Sequence, residues 1–99
     1  MKSGESGYLD LGTGTIHLDS GGAPIGLHVK GTVIDSAFNP DGDVQGEGAL
    51  GEAGSPGWME LRDGSFHGAQ TSRPPFPPYI EGYLEADGTF RPKSREVKY

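Results

Sequence analysis

Glycine and proline interrupt this chain so often that no ordinary helix fits anywhere in it. The sequence contains 18 glycines and 8 prolines among 99 residues, and its longest stretch without either is residues 32–39. An average α-helix has about 11–12 residues, and an interior glycine or proline costs about 1 or 3 kcal/mol relative to alanine. The interruptions therefore predict an all-β protein without substantial helix.

Turn signals divide the chain into short strands. Asp-Gly pairs at 41–42, 63–64 and 87–88 and a looser turn at 19–22 mark four hairpins, spaced by 22, 22 and 24 residues. Four hairpins in series explain this even spacing of the turns, and an old duplication within the sequence would also produce it. The pattern predicts an antiparallel meander of about eight strands, at 13–19, 25–31, 32–38, 44–50, 57–62, 65–70, 79–85 and 88–91. Such a meander forms a small barrel or a sandwich, and the pattern does not separate the two.

The length predicts a single β domain over residues 1–99. Residues 1–7 are expected to form a flexible N-terminus, and residues 92–99 a basic C-terminal tail. Residues 71–78 contain four prolines and are expected to form a rigid crossover loop. Leu, Ile, Val and Phe supply only 19 of the 99 residues, so we expect a partner, a ligand or an oligomer to support a small core.

Charge and composition exclude several functions. Residues 1–90 contain 4 basic and 13 acidic side chains, whereas residues 91–99 have a net charge of +3. An acidic body repels phosphate groups, so no nucleic-acid partner is expected. The chain has no cysteine, which excludes disulfides and cysteine-based zinc sites. It shows neither the apolar run of a signal peptide nor a transmembrane segment, and we expect a soluble, cytoplasmic protein without a membrane partner.

His17 and His28 are the candidate metal ligands. If the first hairpin is centred between residues 22 and 23, the two histidines face each other with Cβ atoms about 4.5–5.5 Å apart. That spacing suits two imidazoles on one metal ion, with a third ligand from Asp19, Asp35 or His67. Solvent-facing rings with no special role are the commoner explanation, and no cofactor is predicted.

Asp63, Ser65 and His67 have the residue types of a catalytic triad. They alternate along one predicted strand, which places neighbours about 6.5–7 Å apart with parallel side chains. A nucleophile and its base need hydrogen-bond contact at about 2.6–3.2 Å. The spacing predicts that this trio is not catalytic. Apart from the pair His17 and His28, no cluster has convergent geometry, and we expect that the protein is not an enzyme.

Aromatic and basic side chains form the candidate binding surface. Trp58, Tyr79 and Tyr83 could line up as an exposed row, and Phe76 could project from the proline-rich loop. Such rings either cover a sparse core or form a protein interface, where aromatic residues are enriched. The basic residues of the candidate surface, which bind either the acidic body or a partner, are Arg91, Lys93 and Arg95.

These observations favour a non-catalytic β domain that acts through protein–protein association. It would be a self-assembling or structural subunit, an adaptor or an inhibitor, with a second protein or another copy as its partner. The alternative is a β-barrel that binds a small ligand or a glycan, followed by a histidine-based metal site. The motifs specify turns and not a family.

Overall fold

The structure is a computed structural model, and it describes residues 4–18, 24–70 and 73–99. These residues form eight β-strands and no helix, so none of them belongs to a helix that could cross a membrane. The strands are β1 (Ser6–Asp10), β2 (Thr15–Leu18), β3 (His28–Ile34), β4 (Ala37–Pro40), β5 (Ser55–Glu60), β6 (Ser65–Gly68), β7 (Tyr79–Leu84) and β8 (Phe90–Pro92). The predicted all-β class with eight short antiparallel strands is confirmed.

The strands form two antiparallel sheets of four, each built from consecutive strands. Their orders are β2-β1-β3-β4 and β6-β5-β7-β8. Each sheet contains two hairpins, and the predicted Asp-Gly turns at 63–64 and 87–88 lie in the two hairpins of the second sheet. The Asp-Gly pair at 41–42 follows β4 and does not connect the strands of a hairpin, so that prediction is wrong. The pairing departs from a simple meander, because β1 lies between β2 and β3, and β5 lies between β6 and β7. The described strands do not close into a barrel, so the sandwich alternative describes them better.

The two sheets share one hydrophobic core. Leu9 and Val29 of the first sheet belong to the same buried cluster as Met59 and Ile80 of the second. Successive side chains of a strand point to opposite faces of its sheet. The residues on the inner face of each sheet therefore supply this core. The residues that alternate with them along each strand face outward.

The first two hairpins turn at other places than the sequence predicts. β1 turns into β2 at residues 11–14, where the Gly14 N–H donates to the Asp10 carbonyl at 2.7 Å. The turn predicted at 19–22 lies outside the described residues. β3 turns into β4 at Asp35 and Ser36, whose φ angles of 52° and 65° suit a two-residue type I′ turn. The prediction missed this turn because positive φ is unusual for non-glycine residues.

Three other segments differ from the predictions. Residues 6–7 belong to β1 and are not part of a flexible N-terminus. The predicted strand at 44–50 is reduced to one bridging residue, Gln45. The basic C-terminal segment is not a free tail: Val97 is buried in the core, and Lys98 exchanges two backbone hydrogen bonds with the first residue of β7.

The two sheets are two copies of one structural unit. Adding four to each strand number converts the first strand order into the second. Residues 7–18 align without a gap with residues 57–68, with glycine first, leucine fifth and histidine eleventh in both. His28 and Gln45 exchange backbone hydrogen bonds of 3.0 and 2.8 Å, and Tyr79 and Lys98 do the same at 3.0 and 2.8 Å. The duplicated unit is therefore two hairpins, about 50 residues long, and not a single hairpin.

The core has the same two-copy arrangement. The residues of the buried cluster fall into pairs at equivalent positions, one from each unit. These pairs are Leu9 with Met59, Leu11 with Leu61, Val29 with Ile80, Phe38 with Phe90, and Val44 with Val97. A chain of half this length would bury a smaller fraction of its surface and would be only marginally stable. Folding therefore depends on packing the two units together.

A glycine in each sheet allows an aromatic ring to lie against the neighbouring strand. A Cβ atom at Gly31 would lie 2.5 Å from Cζ of Phe38, and one at Gly82 would lie 2.5 Å from Cζ of Phe90. Both rings are buried in the core. Only glycine leaves room for them at these positions.

We predict that Gly31→Ala and Gly82→Ala each lower the free energy of unfolding by about 1–3 kcal/mol, because the new methyl group forces a core ring out of place. Chemical denaturation measures the change. Gly42→Ala is the control, since a Cβ atom there would meet nothing within 4 Å and should change stability by less than about 0.5 kcal/mol. Unchanged stability in both core variants would contradict the described packing.

Candidate functional site

The second sheet presents aromatic and charged side chains on its outer face. Along β7, Tyr79, Glu81 and Tyr83 alternate with residues that are buried. The strand register places Trp58 of β5 beside Glu81, and Arg91 of β8 beside Tyr83. We call the surface formed by these five residues the aromatic face.

The three rings predicted to form a row do share this face. Trp58, Tyr79 and Tyr83 are each half-buried, and none of them belongs to the hydrophobic core. They therefore contribute to a surface and do not fill the interior. Trp58 is also the only tryptophan of the chain, so its fluorescence reports directly on this face.

The basic residues near the C-terminus pair with the chain's own acidic body. Arg91 Nε donates to Glu85 at 2.7 Å, and Lys93 Nζ lies 3.7 Å from a carboxylate oxygen of Glu81. Arg95 lies elsewhere, and its guanidinium donates to a backbone carbonyl of the first unit at 3.4 Å. Arg91 and Lys93 thus hold acidic side chains at the aromatic face, whereas Arg95 does not contribute to it.

A groove beside the aromatic face has a volume of about 430 Å³. It is lined by Glu60, His67, Arg73, Pro74, Pro75 and Phe76, and we call it the proline groove. Phe76 is 87% exposed, and His67 is the strand partner of Trp58. Arg73 is exposed and has no ion-pair partner among the described residues.

Only part of this groove is predicted from the sequence. Phe76 is a candidate because the rigid proline-rich loop can project its ring. Glu60 could have been found by alternation, since it lies two residues after Trp58 on the same strand and faces the same way. No sequence pattern points to Arg73, because its position depends on how the proline-rich loop crosses the end of the sheet.

The two candidate metal ligands lie on the first sheet, on either side of Tyr8. His17 is the strand partner of Tyr8, and their rings stack with centroids 4.9 Å apart. The His28 ring meets the edge of Tyr8 at 5.9 Å. The predicted pairing of His17 with His28 is wrong, because β1 lies between their strands.

His28 also has a structural role. Its side chain is buried, with Nδ1 2.9 Å from the carbonyl oxygen of Gly26. Within residues 4–18, 24–70 and 73–99, no group of three or more His, Cys, Asp or Glu side chains could hold a metal ion. Asp19, one of the predicted third ligands, lies outside these ranges. Metal binding at His17 and His28 remains a prediction without a described third ligand.

Asp63, Ser65 and His67 are closer together than the sequence predicts. Ser65 Oγ donates to Asp63 Oδ1 at 2.7 Å and lies 3.1 Å from His67 Nε2. The predicted separation is wrong on two counts. Asp63 does not belong to the strand: it lies in the turn before β6 and folds back over Ser65. Ser65 and His67 do alternate along β6, but their side chains bring Oγ and Nε2 within hydrogen-bond distance.

The contacts of this trio nevertheless differ from those of a hydrolase triad. In a triad the acid holds Nδ1 of the histidine, while Nε2 faces the serine. Here Asp63 accepts a hydrogen bond from Ser65 itself, and Glu60 lies 3.8 Å from the same Nε2 atom of His67. The Ser65 N–H, a usual donor to the reacting oxyanion, also donates to Asp63 at 3.0 Å. These contacts are typical of a stabilised turn.

The ionisation of Asp63 follows from these contacts. Partial burial raises the pKa of this carboxyl group, but the two hydrogen bonds from Ser65 and the nearby His67 outweigh it, so the pKa lies below its ordinary value. The ionised carboxylate therefore stabilises the folded chain. The stabilisation is complete above the ordinary aspartate pKa and is lost as the pH falls through the lowered value.

Comparisons with known protein families, with curated protein sequences and with solved structures gave no match. The functional argument therefore depends on the residues and their geometry.

We predict that Asp63→Ala destabilises the fold at neutral pH by less than about 1 kcal/mol, because the carboxylate is largely exposed. The difference from the unsubstituted protein should shrink as the pH falls from about 7 to about 2. Denaturation at several pH values measures it, with Glu52→Ala as an exposed acidic control. A difference that grows in acid would contradict the lowered pKa.

Proposed function

We propose that this chain is a non-catalytic β domain that binds a partner protein through the aromatic face and the proline groove. Tryptophan, tyrosine and arginine dominate the binding energy of protein interfaces. Trp58, Tyr83 and Arg91 come together on the aromatic face, and the exposed Phe76 extends this surface into the groove.

The first unit supplies the observation that carries this proposal. The position equivalent to Tyr83 is occupied by Thr32, and the position equivalent to Tyr79 by His28. Both sheets have the same strand order, so the scaffold does not require tyrosine at either position. Two of the three rings of the aromatic face are therefore better explained by binding than by folding.

The proline groove indicates the chemistry of the partner. Phe76 and the adjoining prolines offer an apolar wall to a buried anchor side chain, as interface pockets do. Arg73 lies in the same groove and pairs with no carboxylate among the described residues. We expect the partner to insert an apolar side chain beside Phe76 and to place a carboxylate near Arg73.

Glycan binding at the same face is the alternative. A sugar would stack on one ring and hydrogen-bond to neighbouring polar groups. The exposed Phe76 and the prolines favour a protein, since they extend the apolar contact beyond the ring platform. Titration with oligosaccharides while following Trp58 fluorescence separates the two, because a bound sugar would shift the emission.

We predict that Trp58→Ala and Tyr83→Thr each weaken partner binding at least tenfold, the loss typical of an interface hot spot. Tyr83→Thr installs the residue that the first unit already carries, so the fold should be retained. Tyr8→Ala is the matched control, since Tyr8 occupies the position of Trp58 on the other sheet. Quantitative affinity capture followed by titration of the captured protein provides the measurement.

Native mass spectrometry establishes whether the partner is a second copy of this chain. A multiple of the chain mass that Tyr83→Thr reduces to one chain would make the aromatic face a self-association surface. Undiminished binding in both Trp58→Ala and Tyr83→Thr, with loss in Tyr8→Ala, would contradict the proposal. Thermal unfolding of each variant verifies that the chain is folded.

A further inference from the structure

Residues 73–78, which we call the proline-rich segment, have the composition of a ligand for an aromatic surface. Their sequence is Arg-Pro-Pro-Phe-Pro-Pro, and both the arginine and the phenylalanine are exposed. Each proline fixes its own φ and restricts the residue before it, so such a segment loses little conformational entropy when it binds. Proline-rich segments dock on surfaces lined by aromatic side chains in a recurrent mode of recognition.

The aromatic face has the complementary chemistry. Its Glu81 lies between Tyr79 and Tyr83 along β7 and beside Trp58 in the strand register. Lys93 Nζ lies 3.7 Å from the Glu81 carboxylate, and both side chains are about half exposed, so this ion pair is weak and leaves the carboxylate accessible. A second cation can therefore bind Glu81 while an apolar side chain packs against the neighbouring rings.

The spacing along the segment resembles the spacing along the face. Arg73 and Phe76 are three residues apart, which is roughly 9 Å in an extended proline-rich chain. Glu81 is two residues from Tyr79 and two from Tyr83, which is roughly 7 Å along a strand. When Arg73 of one molecule contacts Glu81 of another, Phe76 therefore reaches an adjoining tyrosine ring.

The charge and the apolar ring of the segment are available to a second molecule. Arg73 has no ion-pair partner among the described residues, although Glu60 lines the same groove. This groove of about 430 Å³ lies between the segment and the sheet, so space remains between the two. Phe76 is 87% exposed.

The segment and the aromatic face adjoin each other in the same molecule. Residues 73–76 line the proline groove together with Glu60 and His67, and these two are the strand partners of Tyr79 and Trp58. A two-fold axis that passes between segment and face can therefore lay the segment of each copy on the face of the other. Both contacts then form at once, as in the self-complementary interface of a symmetric dimer.

We propose that the partner at the aromatic face is a second copy of this chain, with the proline-rich segment of each copy bound to the aromatic face of the other. Arg73 of one copy contacts Glu81 of the second, and Phe76 packs against the rings beside it. This inference rests on the proposed function and names its partner. It supplies both groups expected there, because Glu81 is the carboxylate near Arg73 and an aromatic ring is the apolar group beside Phe76.

Charge reversal at the two positions provides the test, with native mass spectrometry across a concentration series as the measurement. The unsubstituted chain should form a dimer. Arg73→Glu and Glu81→Arg should each weaken it by about tenfold or more, because each places two pairs of like charges in the symmetric interface. An equimolar mixture of the two variants should restore a dimer that contains one copy of each, since both contacts then join opposite charges.

Lys30→Glu is the matched control. Lys30 is exposed and lies beside Tyr8 on the first sheet, as Glu81 lies beside Trp58 on the second. Its substitution changes the net charge by the same amount as Arg73→Glu, and the dimer should survive it. Arg73→Glu and Glu81→Arg combined in one chain should also restore the dimer, and thermal unfolding verifies that every variant is folded.

A chain that stays monomeric up to about 1 mM would overturn the inference. The proposed function would then depend on capture of a different protein, whose binding Trp58→Ala and Tyr83→Thr should weaken. A dimer that Arg73→Glu leaves intact, equal weakening by Lys30→Glu, or a mixture of the two variants that stays monomeric would also overturn the reciprocal contact. A dimer that neither Trp58→Ala nor Tyr83→Thr weakens would contradict this inference and would leave the proposed function to the captured protein alone.

Discussion

The burial of Phe38 and Phe90 against the glycines of neighbouring strands brings one aromatic ring from each sheet into the shared core. Each ring lies over a position where a side chain would collide with it, so ring and glycine specify each other within each unit. The buried cluster takes one member of every equivalent pair from each unit, so a single unit would expose its half of the cluster to solvent. The outer faces of both sheets are positioned by this shared core.

The sequence predicts much of this fold because glycine and proline exclude helices and because alternation marks strands such as β7. It does not predict the pairing order, since β1 inserts between β2 and β3 through contacts that no local pattern encodes. That insertion separates His17 from His28. The aromatic face follows from alternation, whereas Arg73 becomes a candidate only when the proline-rich loop is placed in space.

The two units share one scaffold and differ in the residues on their outer faces. Tyr83 stands where the first unit has Thr32, although both sheets have the same strand order. Tyr83 does not belong to the hydrophobic core. We therefore attribute the stability of the chain to the residues that the two units share, and its proposed binding function to the residues that distinguish them.

Native-state hydrogen exchange tests most directly whether the two units form one cooperative core. The amides of the central strands β1 and β3 should exchange with the same free energy and the same denaturant dependence as those of β5 and β7, because neither unit can open without exposing the shared cluster. Exchange of one pair of strands at a clearly lower free energy, with a smaller denaturant dependence, would show a unit that unfolds alone. That result would contradict the account.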